Sequence, residues 1–356
     1  MEPAPQLRLR GVIRTGSDAL PGGWEAVADW QQHANASEPD VEIADDDCLQ
    51  LLYTSGTESR PKGTMQCSRN LLAEYVSCIV GGQYAEGDVE VHALPLYHSA
   101  QLHVFLGPDI MLGSTNIILP GADPATILRT VEQEKANKLF CPPTVWIALL
   151  RHPDFDQADL SRLRHKFCTS SPFSAALKAE VLRRWPGQLI EYYGLTEGGI
   201  RCELHCHAFP DKLHTVGRPG AGAIIRFIDD DGNELPPGVD GEIVGHSQGM
   251  MTGYYGLPEQ TRAAEWYDSN GTRYIRSGDV GHMDEDGFVI LGDRKKDMII
   301  SGGFNIYPTD LENTLIQHDA VAECAVVGVP SAKWGETPVA FVVARPGASC
   351  DPDQIR

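Results

Sequence analysis

The segment richest in chemistry reads Tyr53-Thr54-Ser55-Gly56-Thr57-Glu58-Ser59-Arg60-Pro61-Lys62-Gly63-Thr64 and directly follows an apolar run, residues 49–53, that predicts a buried strand. Hydroxyls, glycines and a lysine on a tight loop suit a phosphate. Small residues let backbone N–H groups approach the oxygens, hydroxyls donate, and an ammonium offsets charge. The order is not that of a Walker loop, which ends Gly-Lys-Ser/Thr and opens a helix. Here lysine precedes glycine and the next helix starts near Ser68. Chemistry alone leaves a Ser/Gly-rich surface loop as the alternative. A second cluster, Tyr193-Gly194-Leu195-Thr196-Glu197, combines a ring, a turn-permitting glycine, a hydroxyl and a carboxylate. Glu197 is a hard oxygen ligand suited to Mg²⁺. A lone glutamate is more often solvated surface, but this one sits just beyond a strand's carboxyl end, where open α/β sheets bind ligands. Cys202, His205, Cys206 and His207 are also ligand types, yet no second cluster completes a tetrahedral site, so ordinary thiols are expected there.

The elements that must position these residues follow from periodicity. Between residues 49 and 194, short apolar runs alternate with helical patterns, which predicts a mainly parallel sheet covered by helices. Ser68 is expected to cap a helix carrying Leu71, Leu72, Tyr75, Val76 and Ile79. Asp123 and Ser174 open two more, and residues 116–119 and 189–193 return as strands. After about residue 215 short β-like runs (223–228, 241–244, 272–276 and 288–291) are separated by Asp-Gly and Pro-Gly turns, which predicts a small antiparallel β subdomain. Beyond residues 294–297 a glycine-bearing loop leads to a helix boxed by Thr309 and Glu312, then a strand at 323–329. The expected organisation is an α/β large domain over 1–293, with its β-rich part at 215–293, a hinge at 294–297, and a partial small α+β C-terminal domain over 298–356. Asp351-Pro352-Asp353-Gln354 reads as a helix start with only two residues after it, and residues 7–13 as a strand without a preceding helix, so truncation at both ends is expected.

The chain has 356 residues, enough for more than one core, and a formal net charge of -20. An acidic surface of that size disfavours nucleic-acid or membrane-surface binding, though it leaves room for a nucleotide in a locally neutralised cleft. Nine scattered cysteines and the lack of a basic-then-apolar amino terminus predict a reduced, cytoplasmic protein with no stable membrane insertion. The expected partners are small molecules.

The loop at 53–64 resembles the signature of the adenylate-forming (AMP-binding) superfamily of acyl-CoA synthetases, peptide-synthetase adenylation domains and beetle luciferases. Further segments match in the family's order: Pro95-Leu96-Tyr97-His98, Tyr193-Gly194-Leu195-Thr196-Glu197, Gly241-Glu242-Ile243, Gly253-Tyr254, Ser277-Gly278-Asp279 and Gly292-Asp293-Arg294-Lys295-Lys296-Asp297. The resemblance spans about residues 40–345. It implies an acid–thiol ligase with ATP, Mg²⁺ and CoA as substrates or cofactor, and it assigns the site. Thr54, Ser55, Gly56, Thr57 and Lys62 would surround the phosphates. Tyr193 and Ser171 would line the adenine, and Thr196 would donate to the α-phosphate. Glu197 would hold Mg²⁺, Asp279 would accept the ribose hydroxyls, and Arg294 would reach ribose or phosphate. His98 would border the acyl pocket, against the commoner fate of a packed or surface histidine that His92 and His103 suit. Lys296 would be the pivot, the alternative being a surface lysine beside Lys295. Gly302 and Gly303 would leave room for the pantetheine arm of CoA. The family's adenylation lysine is expected beyond Arg356, so the 356-residue chain is expected to bind ATP yet adenylate poorly. Residues 94–154 are most similar to fatty-acyl-CoA synthetases, with an aryl-CoA ligase as the alternative. Ser99, where amino-acid-activating members carry aspartate, argues against amino acids.

Overall fold

The computed structural model describes residues 11–12, 25–32, 37, 40–54, 61–294, 299–301, 304–306, 308–331, 333–345 and 347–348. Residues Met1–Ala44 and Asp45–Arg356 form separate units. In the first, Gly11–Val12 and Glu25–Ala26 pair in parallel, and the short helix Val27–Gln31 follows.

The second unit is built on a seven-stranded sheet. Its strand order is Arg218–Pro219, Arg201–His205, Gln188–Gly194, His165–Cys168, Lys138–Phe140, Val89–His92 and Thr115–Ile118. The five strands from Gln188–Gly194 to Thr115–Ile118 are parallel, and the other two add antiparallel at one edge. Two of the outer helices sit where the periodicity puts them. Pro124–Gln133 starts where the Asp123 carboxylate accepts from the Thr126 N–H at 2.9 Å, and Ala175–Arg184 starts at the Ser174 hydroxyl. Both pack, with Pro143–Arg151, on one face of the sheet through Ile127, Leu128, Trp146, Leu149 and Val181. Burying an aliphatic side chain of that size stabilises by about 1.5–3 kcal/mol.

Side chains alternate across a strand, so the opposite face carries a different set. There Phe140, Phe167, Ile190 and Tyr192 meet Tyr84 and Phe105 in an aromatic cluster. Glu90, His92 and Lys138 share this face, and all three are fully buried. Lys138 Nζ lies 2.8 Å from Glu90 Oε2, 2.5 Å from Asp109 Oδ1 and 3.2 Å above the Tyr84 ring. Burial, then the Glu90 charge, pushes Asp109 up to about 8, so one proton and one ammonium balance two carboxylates near neutrality. Beside them His92 Nε2 donates to Asn116 Oδ1 at 2.7 Å and Nδ1 accepts from Gln101 Nε2 at 2.6 Å, which fixes a neutral ring. Burial lowers its basicity in the same direction.

Gln101 belongs to a π-helix, Ala100–Leu106, that runs into the helix Gly107–Leu112. No local pattern announces this π-helix. The junction of the two helices packs against the long helix Ser68–Gly82 so closely that a Cβ on Gly107 would lie 2.4 Å from the Tyr75 ring. That long helix is capped by Cys67, one residue earlier than expected. The first strand also departs from expectation. Cys48–Thr54 is not part of the parallel sheet but turns back as Lys62–Cys67 in an antiparallel hairpin, which Gly253–Tyr254 extends to three strands. The alternation of apolar residues in Cys48–Thr54 does not encode which sheet it joins.

The antiparallel subdomain is present as expected. Ile224–Ile228, Gly241–His246, Arg273–Met283 and Glu265–Tyr267 follow in order, and Val289–Arg294 pairs with Arg273–Met283. Toward the carboxyl end, Phe304–Ile306, Ile299–Ser301, Gly335–Ala344 and Val321–Ser331 make a four-stranded antiparallel sheet joined by the helix Pro308–Leu315. Cys202 and Cys206 are fully buried core thiols, and among the described residues they join no metal-ligand cluster.

Candidate active site

The hairpin closes where Thr54 pairs with Lys62, and the Thr54 hydroxyl donates to the Lys62 carbonyl at 3.4 Å. The register with Gly253–Tyr254 sets Tyr254 opposite Thr64, beside the mouth of the hairpin. The Lys62 ammonium stands 4.7 Å from the centre of the Tyr254 ring, and the Tyr254 hydroxyl donates to Glu197 Oε1 at 2.7 Å. Burial, then the Glu197 charge, raises this phenol well above its ordinary range, so it stays a donor. A single aromatic side chain thus connects the lysine to the glutamate.

The Thr196-Glu197 segment, past the end of the strand Gln188–Gly194, is fixed by contacts from three directions. Gln66 Nε2 donates to the Thr196 carbonyl at 3.3 Å, the Ser99 and Thr196 hydroxyls are 2.9 Å apart, and the Met251 N–H donates to the Glu197 carbonyl at 2.8 Å. Thr54, Lys62, Thr196 and Glu197 all line one cavity of about 830 Å³. The two motifs that the sequence separates by more than a hundred positions therefore face a common space.

Other expected residues fall in several places. His98 and Ser99 line the cavity at the start of the π-helix, where His98 Nδ1 accepts from the Ala100 N–H at 3.1 Å. Tyr193 and Gly194 line it too. In the adenine-loop segment Thr169 and Ser170 line the cavity and Ser171 does not; Ser170 adopts a left-handed φ of 80°. Ser277 and Gly278 form part of the wall, whereas Asp279 lies behind it, only 8% exposed, accepting the Tyr193 hydroxyl at 2.7 Å through Oδ2. Arg294 pairs with Asp279 across two strands. Ser55, Gly56, Thr57, Lys296, Gly302 and Gly303 lie outside the described residues.

Several cavity residues carried no site assignment in the sequence reading. Tyr254 was legible only as part of a Gly-Tyr landmark. Gln66 and Glu74 sit in stretches with no motif, and Arg201 follows the Thr-Glu pair without a recognisable spacing. His103, expected to be merely packed, lines the cavity with its Nε2 2.5 Å from Gln50 Oε1, and burial lowers it to about 4, so it stays neutral. Arg276 and Glu242 form a two-point ion pair in the wall, Nε–Oε1 at 3.1 Å and Nη2–Oε2 at 2.5 Å. Glu197 fits a divalent cation. Its carboxylate faces a cavity lined by hydroxyls, and the one hydrogen bond found to it among the described residues goes to Oε1.

A parallel sheet flanked by helices, an antiparallel subdomain, and a lysine-bearing hairpin facing a Thr-Glu pair define the adenylate-forming class of fold. The chain belongs to the AMP-binding enzyme family: residues 4–255 match that family and residues 310–356 match the AMP-binding enzyme C-terminal domain. It is 38% identical over 324 residues to a feruloyl-CoA synthase of Amycolatopsis sp, covering 90% of this chain and 65% of the relative. It is 36% identical to a long-chain-fatty-acid–CoA ligase of Bacillus subtilis, covering 87% of this chain and 55% of that protein. Among solved structures, ATP-bound MatB from Rhodopseudomonas palustris superposes with a TM-score of 0.85 at 31% identity over 94% of this chain and 65% of that one. The AMP complex of O-succinylbenzoate coenzyme A synthetase from Bacillus subtilis gives 0.80 at 27% identity, over 93% and 66%. The chain thus spans less than two thirds of the length of the curated relatives it matches first. Among the described residues no helix is long and apolar enough to cross a membrane.

Proposed function

We propose that this protein uses ATP to convert a carboxylic acid into an acyl-adenylate and then a CoA thioester. The observation that carries the proposal is the shared cavity in which Tyr254 links Lys62 to Glu197. The acid arrives ionised at neutral pH, so no general base is required. Its oxygen attacks the α-phosphorus, the bond to the β-phosphate breaks, and pyrophosphate leaves. The CoA thiol then gives its proton to solvent and attacks the acyl carbon, the acyl–phosphate bond breaks, and AMP departs.

The protein's part is positioning and charge stabilisation. Lys62 and residues 54–57 surround the phosphates, and the Thr196 hydroxyl donates to the α-phosphate. Tyr193 flanks the adenine, while Asp279, reached past Ser277 and Gly278, accepts from the ribose with Arg294 beside it. Mg²⁺ at Glu197 would offset phosphate charge. His98 stands between this region and the acid. In the same proposal residues 1–293 are the large domain and 294–297 the hinge. Lys296 is the pivot that turns residues 298–356, and Gly302 and Gly303 leave space for pantetheine.

The relatives named above span aryl and alkyl acids, and both belong to the proposed range. Exchange of labelled pyrophosphate into ATP, measured on the full-length protein with aliphatic, aromatic and amino acids, tests the reading. Exchange is expected with aliphatic or aromatic acids and not with amino acids. Absence of exchange with every acid, together with no affinity for AMP, refutes it.

A further inference from the structure

One part of the cavity wall is charged. Glu74, on the helix Ser68–Gly82, and Arg201 both line it, with Oε1 and Nη1 3.8 Å apart. Arg201 is rigidly held. Its side chain is 7% exposed, Nη1 lies 3.0 Å from Cys78 Sγ, Nη2 donates to the Ser77 carbonyl at 3.0 Å, and the guanidinium stacks 4.9 Å from the centre of the Tyr192 ring. Glu74 is more open at 24%, and a Cβ on Gly249 would come within 2.9 Å of its Oε2. That oxygen therefore lies against bare backbone, with no side chain from that position to shield it.

The same three residues, Glu74, Arg201 and Gly249, also border a second cavity of about 470 Å³, whose wall includes Leu72, Val76 and Val80. The charged pair is thus a partition, with the acid cavity on one side and an apolar recess on the other.

We infer, building on the proposed function, that Glu74 and Arg201 end the acid cavity and select a compact acid whose far end donates a hydrogen bond, a hydroxylated aromatic acid, over long alkyl acids. A methyl terminus pushed against the pair would take water from a carboxylate and return nothing. A hydroxyl in the same place donates to Glu74. Leu71 and Val104 in the same cavity wall suit an apolar body. A hydrogen bond to a charged group corresponds to about tenfold to a hundredfold in affinity.

The test uses acylsulfamoyl-adenosines, uncleavable mimics of the adenylate, carrying para-hydroxycinnamoyl, cinnamoyl or dodecanoyl groups, titrated calorimetrically into the protein. Wild type is expected to hold the hydroxylated compound about tenfold or more above cinnamoyl, with dodecanoyl weakest. In Glu74→Ala that ratio falls toward one and dodecanoyl gains, because the partition opens. Glu74→Gln, which keeps an acceptor oxygen, retains part of the ratio and separates a lost contact from a damaged fold. Equal wild-type affinities, a wild-type preference for dodecanoyl, or a ratio unchanged in Glu74→Ala each overturns the inference while leaving adenylate binding standing. If none of the three compounds binds, the proposed function falls with it.

Discussion

Replacing Lys138 by methionine removes the only ammonium in contact with two fully buried carboxylates among the described residues, at 2.8 Å from Glu90 and 2.5 Å from Asp109. Because Asp109 is pushed up to about 8, it already holds its proton at neutral pH, and the charge left stranded is that of Glu90. Breaking a buried pair by deleting one partner costs about 3–5 kcal/mol. Loss of the ammonium from the Tyr84 face, 3.2 Å away, adds up to about 2 kcal/mol. Set against a total stability of about 5–15 kcal/mol, that is a large share. The double variant Lys138→Met, Glu90→Gln removes both charges and should recover more than half of the loss, since the pair's two members are coupled. Urea titrations followed by near-ultraviolet circular dichroism, which reports the packing around Phe105, Phe140 and Phe167, measure both variants. A single variant within about 1 kcal/mol of wild type, or a double variant no better than the single, refutes this account of the cluster.

Two further outcomes follow from the same geometry. Tyr254→Phe deletes the 2.7 Å hydrogen bond to Glu197 but keeps the ring under Lys62. The exchange rate at saturating ATP should fall about tenfold, with ATP affinity changing less, and equal losses in both would contradict the linking role. Asp109 has a folded value raised by burial, then by Glu90, so it favours the folded state below its ordinary carboxylate range, and that contribution is lost as pH rises toward about 8. The melting temperature of wild type relative to Asp109→Asn should therefore decline between pH 5 and 8; a difference that grows with pH would reverse the sign.

The parallel sheet was legible as a class, and the outer helices at 124–133 and 175–184 because each announces its own start. Asp123 before Pro124, and Ser174 before a repeating apolar stripe, are local signals, and local signals survive in a single sequence. The hairpin was not legible. The strand at 48–54 pairs with Lys62–Cys67, which in turn takes Gly253–Tyr254 from far along the chain as its other neighbour, and no local pattern announces that sheet. The site divides in the same way. Lys62, Thr196 and Glu197 lie in short motifs, while Gln66, Glu74, His103 and Arg201 reach the cavity from the hairpin strand Lys62–Cys67, the helix Ser68–Gly82, the π-helix and the strand Arg201–His205. Tyr193, expected at the adenine, lines the cavity, and its hydroxyl also holds Asp279, a link between two motifs that neither motif encodes.

The central claim is that the hairpin lysine and the Thr-Glu pair grip one nucleotide. Calorimetric ATP affinity of wild type, Lys62→Ala and Thr196→Val tests it most directly. Each substitution should weaken ATP by about tenfold or more, since each removes a donor to phosphate. ATP affinity unchanged in either variant would contradict the account.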